Sequence, residues 1–409
     1  MSEKNKPFLP YGKQSVDDDD IAAVVSVLKS NWLTTGPVLG QFETEFATTT
    51  GAQHAVACAN GTAALHLSAL ALKLGPGDAV IVPTMTFLAT ANAVRYVGAK
   101  VIFADVDPDT GLLSSEILQR TLDAHPQDNI KAVFVVHMNG QCARMAEIRA
   151  IASAHGLFVV EDACHALGGG YGDGDTHNAR VGSCVHSDIT VFSFHAVKTA
   201  TMGEGGLITT NDVALFDRLC LLRNHGMTRD DADFQNKDLA FADNGEANPW
   251  YYEMHELGFN YRVTDIQCAL GLSQLKKLDS FVARRTELVA LYDQKLSKLA
   301  PIMRPVTRLG GDGPAWHLYV ALIDFEGAGT DRATVMNRLR QAGIGTQVHY
   351  LPVHRQPYYR SLYGDIDLPG ADAYYARCLS LPLFPKMVDE DVTRVVESLG
   401  EALGVSSNE

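Results

Sequence analysis

Ala132–His137 reads AVFVVH, Met145–His155 reads MAEIRAIASAH and Leu157–Asp162 reads LFVVED. Two near-continuous apolar runs of strand length thus flank a segment with helical period. Strands buried on both faces are what a parallel sheet requires, because its crossover helices cover both sides. Outward from this stretch the alternation continues through AVAC (Ala55–Cys58), AVIVP (Ala79–Pro83), KVIFADV (Lys100–Val106) and ITVFSF (Ile189–Phe194), with helical patterns such as Thr62–Leu74 between them. The pattern predicts an α/β fold with a mostly parallel central sheet sandwiched by helices, and ligands at the carboxyl ends of its strands. GEGGLITTND (Gly203–Asp212) follows ITVFSF after a loop too short for a helical crossover, so this strand is expected to be antiparallel.

Ahead of the sheet, DDDDIAAVVSVL (Asp17–Leu28) reads as an acidic, N-capped amphipathic helix, followed by a turn at Asn31–Gly36 and a second helix over Val38–Thr48. Asp230–Pro249 is polar and acidic with few apolar anchors, and is expected to be a mobile surface excursion. A long helical stretch from Thr264 to Leu299 leads into a smaller lobe. That lobe is expected to have strands near Trp316–Ile323 and Gly345–His349 and a helix around Glu390–Leu403. The chain divides on this reading into a large domain, residues 1–280, and a small α/β domain, residues 281–409.

The 409 residues are 46% apolar and carry a net charge of −14, and no run of Lys and Arg exceeds a pair. The electrostatic footprint of a nucleic-acid or anionic-membrane binder is therefore not expected. The opening MSEKNKPFLP has no apolar signal region, and no apolar run approaches a membrane span, so a cytoplasmic location is expected. Seven cysteines, an odd number without a C-x-x-C pair, and fourteen scattered histidines read as neither a disulfide framework nor a metal site.

Lys198 lies in SFHAVKTATMGEGGLITT, between two apolar strands. Asp162 closes LFVVED, where a buried carboxylate must meet a cation or donors. Asn60–Gly61–Thr62 joins a strand to a helix, offering free N–H groups, a helix dipole and a hydroxyl to an anion. An amine, a cation-seeking carboxylate and a phosphate site are the three needs of pyridoxal phosphate. Each feature taken alone has an ordinary structural reading: a solvated lysine, a helix cap, a common strand–helix turn.

The chain resembles the DegT/DnrJ/EryC1/StrS family of nucleotide-sugar aminotransferases, which have the fold-type I, aspartate aminotransferase-like architecture, over nearly its whole length. The residues that carry the resemblance are Thr35–Gly36–Pro37, Asn60–Leu65 (NGTAAL), PTMTFLATANAV from Pro83, EDACHALG from Glu161, SFHAVKTATMGEGG from Ser193, RNHG from Arg223 and LGFNYRVTDIQCALGLSQLKKLD from Leu257. PWYYEMHELGFNYR (Pro249–Arg262) and HYLPVHRQPYYR (His349–Arg360) are most similar to the branch that makes pseudaminic acid precursors by aminating C4 of a UDP-linked 4-keto-6-deoxy-N-acetylhexosamine.

The resemblance implies that Lys198 forms the internal aldimine and shuttles the proton, L-glutamate being the amino donor and the pyridoxamine form the carrier. Asp162 pairs with the pyridine nitrogen. Gly61, Thr62 and Ser193 hold the phosphate, Phe87 stacks on the ring, and His165 lies near the phenolic oxygen. It also implies a homodimer with shared active sites, in which Asn260 and Arg262 cross to the other protomer, and it puts His349 and Tyr350 near the nucleotide sugar. Phe87 as core, His165 as a structural histidine and Arg262 as a surface residue are the alternatives, and His195 is read as structural. Cys142, Cys164 and Arg144 depart from the family pattern without removing a group the chemistry needs. They leave open a 3-keto or a dTDP- or GDP-linked sugar. A pyridoxamine-dependent dehydratase would carry histidine in place of Lys198. A non-catalytic regulator would be expected to lose at least one cofactor group.

Overall fold

In the computed structural model, residues 7–172, 179–310 and 313–405 are described. A seven-stranded sheet forms the centre of the larger lobe. Its strands are β1 (His54–Cys58), β2 (Ala79–Pro83), β3 (Lys100–Ala104), β4 (Ile130–Val136), β5 (Phe158–Asp162), β6 (Ile189–Ser193) and β7 (Gly206–Thr210), in the order β1-β7-β6-β5-β4-β2-β3. All run parallel except β7, which pairs antiparallel with both β1 and β6, as its short connection requires. Alternate residues divide between the two faces: Val80, Val82 and Phe134 join one buried cluster, Ile81, Val133 and Val135 the other. Full burial of each such side chain contributes about 1.5–3 kcal/mol.

The helices are α1 (Asp18–Leu28), α2 (Pro37–Thr50), α3 (Gly61–Ala71), α4 (Leu88–Tyr96), α5 (Ser115–Ala124), α6 (Met145–Ala154), α7 (Val213–Arg223), a one-turn α8 (Lys237–Ala240), α9 (Asp265–Leu275) and α10 (Leu278–Leu296). Asp17 caps α1 in a reciprocal box with Asp20. The N-terminus of α2 is capped from a distance: Gly36 and Val38 donate to the buried Asp265 carboxylate at 2.8 and 2.9 Å.

Three expectations need correction. The single helix over Thr264–Leu299 is two helices, broken at Lys276–Lys277, where Lys277 N–H closes a tight turn on Gln274 O at 3.0 Å. The break lets the Gln274 amide (2.8 Å) and the Lys277 ammonium (3.0 Å) both reach buried Asp20 of α1. The Asp230–Pro249 excursion has an apolar anchor, Phe234, buried against Phe241 at 6.2 Å and against the following Tyr251 at 4.8 Å between ring centroids. A short antiparallel pair, β8 (Met227–Thr228) with β9 (Glu253–Met254), flanks it.

The third correction concerns the smaller lobe. Its sheet is β10 (Met303–Pro305), β11 (Tyr319–Ile323) and β12 (Cys378–Leu381), all antiparallel. Gly345–His349 is no strand; only Gln347 bridges to Ser380. Helices α11 (Arg332–Gln341), α12 (Pro357–Tyr363), α13 (Pro369–Arg377) and α14 (Asp389–Leu403) complete the chain. The N-terminal segment belongs to this lobe's core: Leu9 bridges Ile344 and packs in the cluster of Leu288, Trp316 and Leu399. No helix among the described residues is long and apolar enough to cross a membrane.

Candidate active site

At the carboxyl ends of the parallel strands, between the two lobes, lies a cavity of about 620 Å³, a volume typical of small-molecule sites. Each strand end delivers part of its wall. From β1 come Asn60, Gly61 and Thr62; from β2, Thr86 and Phe87; from β5, Asp162, Cys164 and His165; from β6, Ser193, His195 and Lys198. The smaller lobe adds His317, His349 and Tyr350, and the N-terminal segment adds Tyr11.

Asn60 caps α3 by accepting from Ala63 N–H at 2.9 Å. Gly61 and Thr62 N–H have no acceptor among the described residues, which leaves two donors and the positive end of the helix facing the cavity. A Cβ on Gly61 would stand 2.9 Å from Ser193 Cβ, so only glycine lets this turn approach the end of β6. Gly206, paired with Cys58 on one side and Ser193 on the other, has the same constraint from below, with Asn60 O 2.2 Å from where a Cβ would sit.

Asp162, the last residue of β5, is 6% exposed. Its Oδ2 accepts from the Thr90 hydroxyl at 2.6 Å and its Oδ1 from Cys164 N–H at 3.2 Å. Lys198 stands on the tight loop after β6, its N–H on His195 O at 2.8 Å. Helix α9 braces that loop through Gln274 Oε1, which accepts from Thr201 N–H at 3.3 Å, and Gln267 Nε2, which donates to Glu204 O at 2.6 Å. Burial holds the Lys198 pKa below its ordinary value, against the opposing pull of Cys164 and Asp162. These residues fit pyridoxal phosphate: donors at a helix start for its phosphate, a fixed carboxylate for its ring nitrogen and an amine for its aldehyde.

Opposite them, His165 Nε2 and Tyr350 OH are 3.1 Å apart, and the Phe87 and Tyr350 rings 5.9 Å. Phe87 is 56% exposed, so it is a wall residue rather than core. Burial pushes His165 and His317 well below the ordinary histidine pKa and His349 down to about 3. His165 and His317 are neighbours, with centroids 4.6 Å apart, and each has a buried Nδ1 without a partner among the described residues.

The cavity gathers Lys198, Asp162, Gly61, Thr62, Phe87, His165, Ser193, His349 and Tyr350. It does not gather Asn260 and Arg262: Asn260 is exposed and bridges Asn224, and Arg262 Nη1 donates to Asn224 Oδ1 at 2.7 Å. His195, read as structural, is an exposed wall residue on the Ser193 side, since residues two apart on an extended chain share a face. Sequence reasoning missed Tyr11, Thr90 and His317. Thr90 stands inside the quoted PTMTFLATANAV motif, whereas Tyr11 and His317 are joined to the site only by the fold.

The family model described as the DegT/DnrJ/EryC1/StrS aminotransferase family matches residues 14–400. The chain is 40% identical over 402 residues to the spore coat polysaccharide biosynthesis protein SpsC of Bacillus subtilis, covering 98% of both chains. Among solved structures, Helicobacter pylori PseC, an aminotransferase involved in the biosynthesis of pseudoaminic acid, superposes with a TM-score of 0.86 at 28% identity, over 97% of this chain and 99% of that one. The Streptococcus pneumoniae sugar aminotransferase Spr1654, known in PLP and PMP forms, superposes with TM-scores of 0.83 and 0.84 at 27% identity, over 97% of this chain and 99% and 98% of those chains.

Proposed function

The chain belongs to the DegT/DnrJ/EryC1/StrS aminotransferase family and is a pyridoxal phosphate-dependent sugar aminotransferase, and from that premise we propose that it transfers an amino group from L-glutamate to C4 of a UDP-linked 4-keto-6-deoxy-N-acetylhexosamine. One observation carries the reading. Lys198, Asp162 and the free N-terminus of α3 converge on one cavity from three distant strand ends. The choice of sugar is supported by Pro249–Arg262 and His349–Arg360, and by the structural neighbour that serves pseudoaminic acid biosynthesis. The product then enters amino-sugar and polysaccharide biosynthesis, the assignment carried by the Bacillus relative.

Bound, pyridoxal phosphate supplies the electron sink and the carbon that carries nitrogen between donor and acceptor. Gly61 and Thr62 N–H and the Ser193 hydroxyl bind its phosphate. Asp162 holds the ring nitrogen's proton, and Phe87 covers a ring face. Lys198 Nζ, its pKa lowered by burial, takes and returns the migrating proton. His165 lies by the phenolic oxygen, while His349 and Tyr350 wall the sugar side.

The active unit in this reading is a homodimer, each protomer lending Asn260 and Arg262 to its partner's site. Trp250, Tyr252, Met254 and Leu257 support it: they are exposed apolar side chains on the segment that leads to those two residues.

The test is the visible spectrum of purified protein with pyridoxal phosphate, before and after L-glutamate. Conversion to the pyridoxamine spectrum is expected, followed by amination of the UDP-linked 4-keto sugar in preference to 3-keto and dTDP-linked sugars, read by mass spectrometry. Lys198→Ala should leave a folded protein without turnover. An unchanged spectrum with glutamate overturns the donor, and preference for another sugar overturns the acceptor.

A further inference from the structure

The Asp162 carboxylate does not depend on the cofactor alone for its orientation. An ionised carboxylate only accepts, so the Thr90 hydroxyl, 2.6 Å from Oδ2, must be the donor in that contact. With its one proton committed, Thr90 Oγ1 can only accept from Thr86 Oγ1, 2.7 Å away. Polarity along this chain is therefore settled by chemistry: Thr86 donates to Thr90, and Thr90 to Asp162. Thr90 is fully buried and does not line the cavity, so water does not substitute for its bond to Asp162. The geometry comes from α4. Thr90 stands in its first turn and Thr86 just ahead of its N-cap Phe87, close enough for the two hydroxyls to meet, and β-branching restricts both to few rotamers. On the other oxygen, Cys164 N–H completes the clamp at 3.2 Å.

We propose that Thr90 is a positioning residue for the cofactor: acting through Asp162, and held in turn by Thr86, it presets the plane of the carboxylate that meets the ring nitrogen. The inference rests on the reading of Asp162 given above. An O–H···O⁻ bond at this distance is short and charge-assisted, the class that contributes most per bond. Without it Oδ2 loses its hydroxyl donor, and the carboxylate is held only from the Cys164 side.

The experiment titrates purified apoprotein with pyridoxal phosphate and records the affinity and the induced visible ellipticity of the bound cofactor, with apoprotein melting as control. Thr90→Val, of nearly equal size, should bind pyridoxal phosphate about ten-fold more weakly. At saturation it should give reduced ellipticity per bound cofactor, while the apoprotein melts near wild type. Thr90→Ser should restore both. Thr86→Val, which leaves the Thr90 contact in place, should shift both readouts in the same direction by less. If Thr90→Val does not fold, Thr90→Cys carries the test, its thiol being a weaker donor of similar size. Asp162→Asn separates the two readings. Wild-type affinity and ellipticity in the Thr90 variants, with Asp162→Asn impaired, overturns the role of Thr90. Wild-type behaviour in Asp162→Asn overturns the reading of Asp162 itself.

Discussion

Beneath the cofactor cavity, Glu161 is the residue whose loss the fold should tolerate least. It is fully buried on β5, on the opposite side of the strand from Asp162, and its carboxylate gathers His137 Nε2 at 2.7 Å, Tyr171 OH at 2.8 Å, Thr190 Oγ1 at 3.1 Å and the Ser187 hydroxyl. His137 Nδ1 accepts from Ala143 N–H at 3.3 Å, so Nε2 is the nitrogen that donates to Glu161. Glu161→Ala leaves His137 and Tyr171 without an acceptor, whereas the Ser187 and Thr190 hydroxyls, 3.1 Å apart, can bond each other. Two orphaned buried donors at about 1–3 kcal/mol each, with the void left by the side chain, give a loss of about 3–6 kcal/mol. That is a large part of a typical stability of about 5–15 kcal/mol.

Burial pushes the Glu161 carboxyl pKa up, but the hydrogen bonds from His137, Ser187 and Tyr171 outweigh it and hold it below the usual range. A carboxylate with a depressed folded pKa stabilises above its unfolded value and loses that contribution as pH falls through the folded one. The stability gap between wild type and Glu161→Gln should therefore be constant above about pH 5 and close below about pH 4. The assay is urea denaturation of the apoprotein, followed by ellipticity and fluorescence across pH. A Glu161→Ala midpoint displaced by less than the equivalent of about 0.5 kcal/mol would refute the network's role, since surface changes alone stay within that limit.

Gly206→Ala brings a Cβ within 2.2 Å of Asn60 O, so the α3 turn must move; pyridoxal phosphate affinity should fall at least about ten-fold, read by equilibrium titration. Arg285 is fully buried and, among the described residues, has only carbonyls as partners, donating to His317 O at 3.1 Å and Leu383 O at 2.9 Å. Arg285→Met should lower stability by about 2–4 kcal/mol in denaturant titration by leaving those carbonyls unpaired. His165, His317 and His349 all have folded pKa values depressed by burial, so the unfolded chain takes up protons first. Their contribution is whole above about pH 6.5 and falls by up to about 1.4 kcal/mol per pH unit for each histidine below it. The apoprotein melting temperature should drop steeply from pH 6.5 to 5, and less steeply in His317→Gln.

The sheet was legible because both its signals are local. Apolar runs such as Val133–Val136 mark strands buried on two faces, and the short Phe194–Gly205 link forces β7 antiparallel. The break between α9 and α10 was not legible, because it answers to Asp20 some 250 residues earlier, a partner that no window around Lys277 contains. β10 and β12 are three and four residues long and take their strand pairing from β11, with one further bridge from Gln347 to Ser380 of β12. Periodicity has too few positions to register in either. His195 differs for another reason: it shares parity with Ser193, so an extended chain carries both side chains to the cavity side.

The same contrast between local and distant signals divides the site. The side that would hold the cofactor is built from strand ends, where a parallel sheet brings consecutive βα turns to one edge whatever the rest of the chain does. Gly61, Asp162 and Lys198 each keep a recognisable neighbourhood: a helix start, an apolar strand, a glycine-rich turn. The facing wall has no such rule. Tyr11 reaches it because Leu9 bridges Ile344 and Leu383 N–H bonds Tyr11 O at 3.0 Å. His317 reaches it because Arg285 and Asn139 hold its backbone at the mouth of β11: Arg285 donates to its carbonyl, and Asn139 O accepts its N–H at 2.9 Å. Each anchor is a backbone contact, indifferent to which side chain it presents. Substitution at Tyr11 or His317 can therefore change what the wall recognises without disturbing the cradle opposite, so a sequence that declares the chemistry so plainly need not declare the sugar.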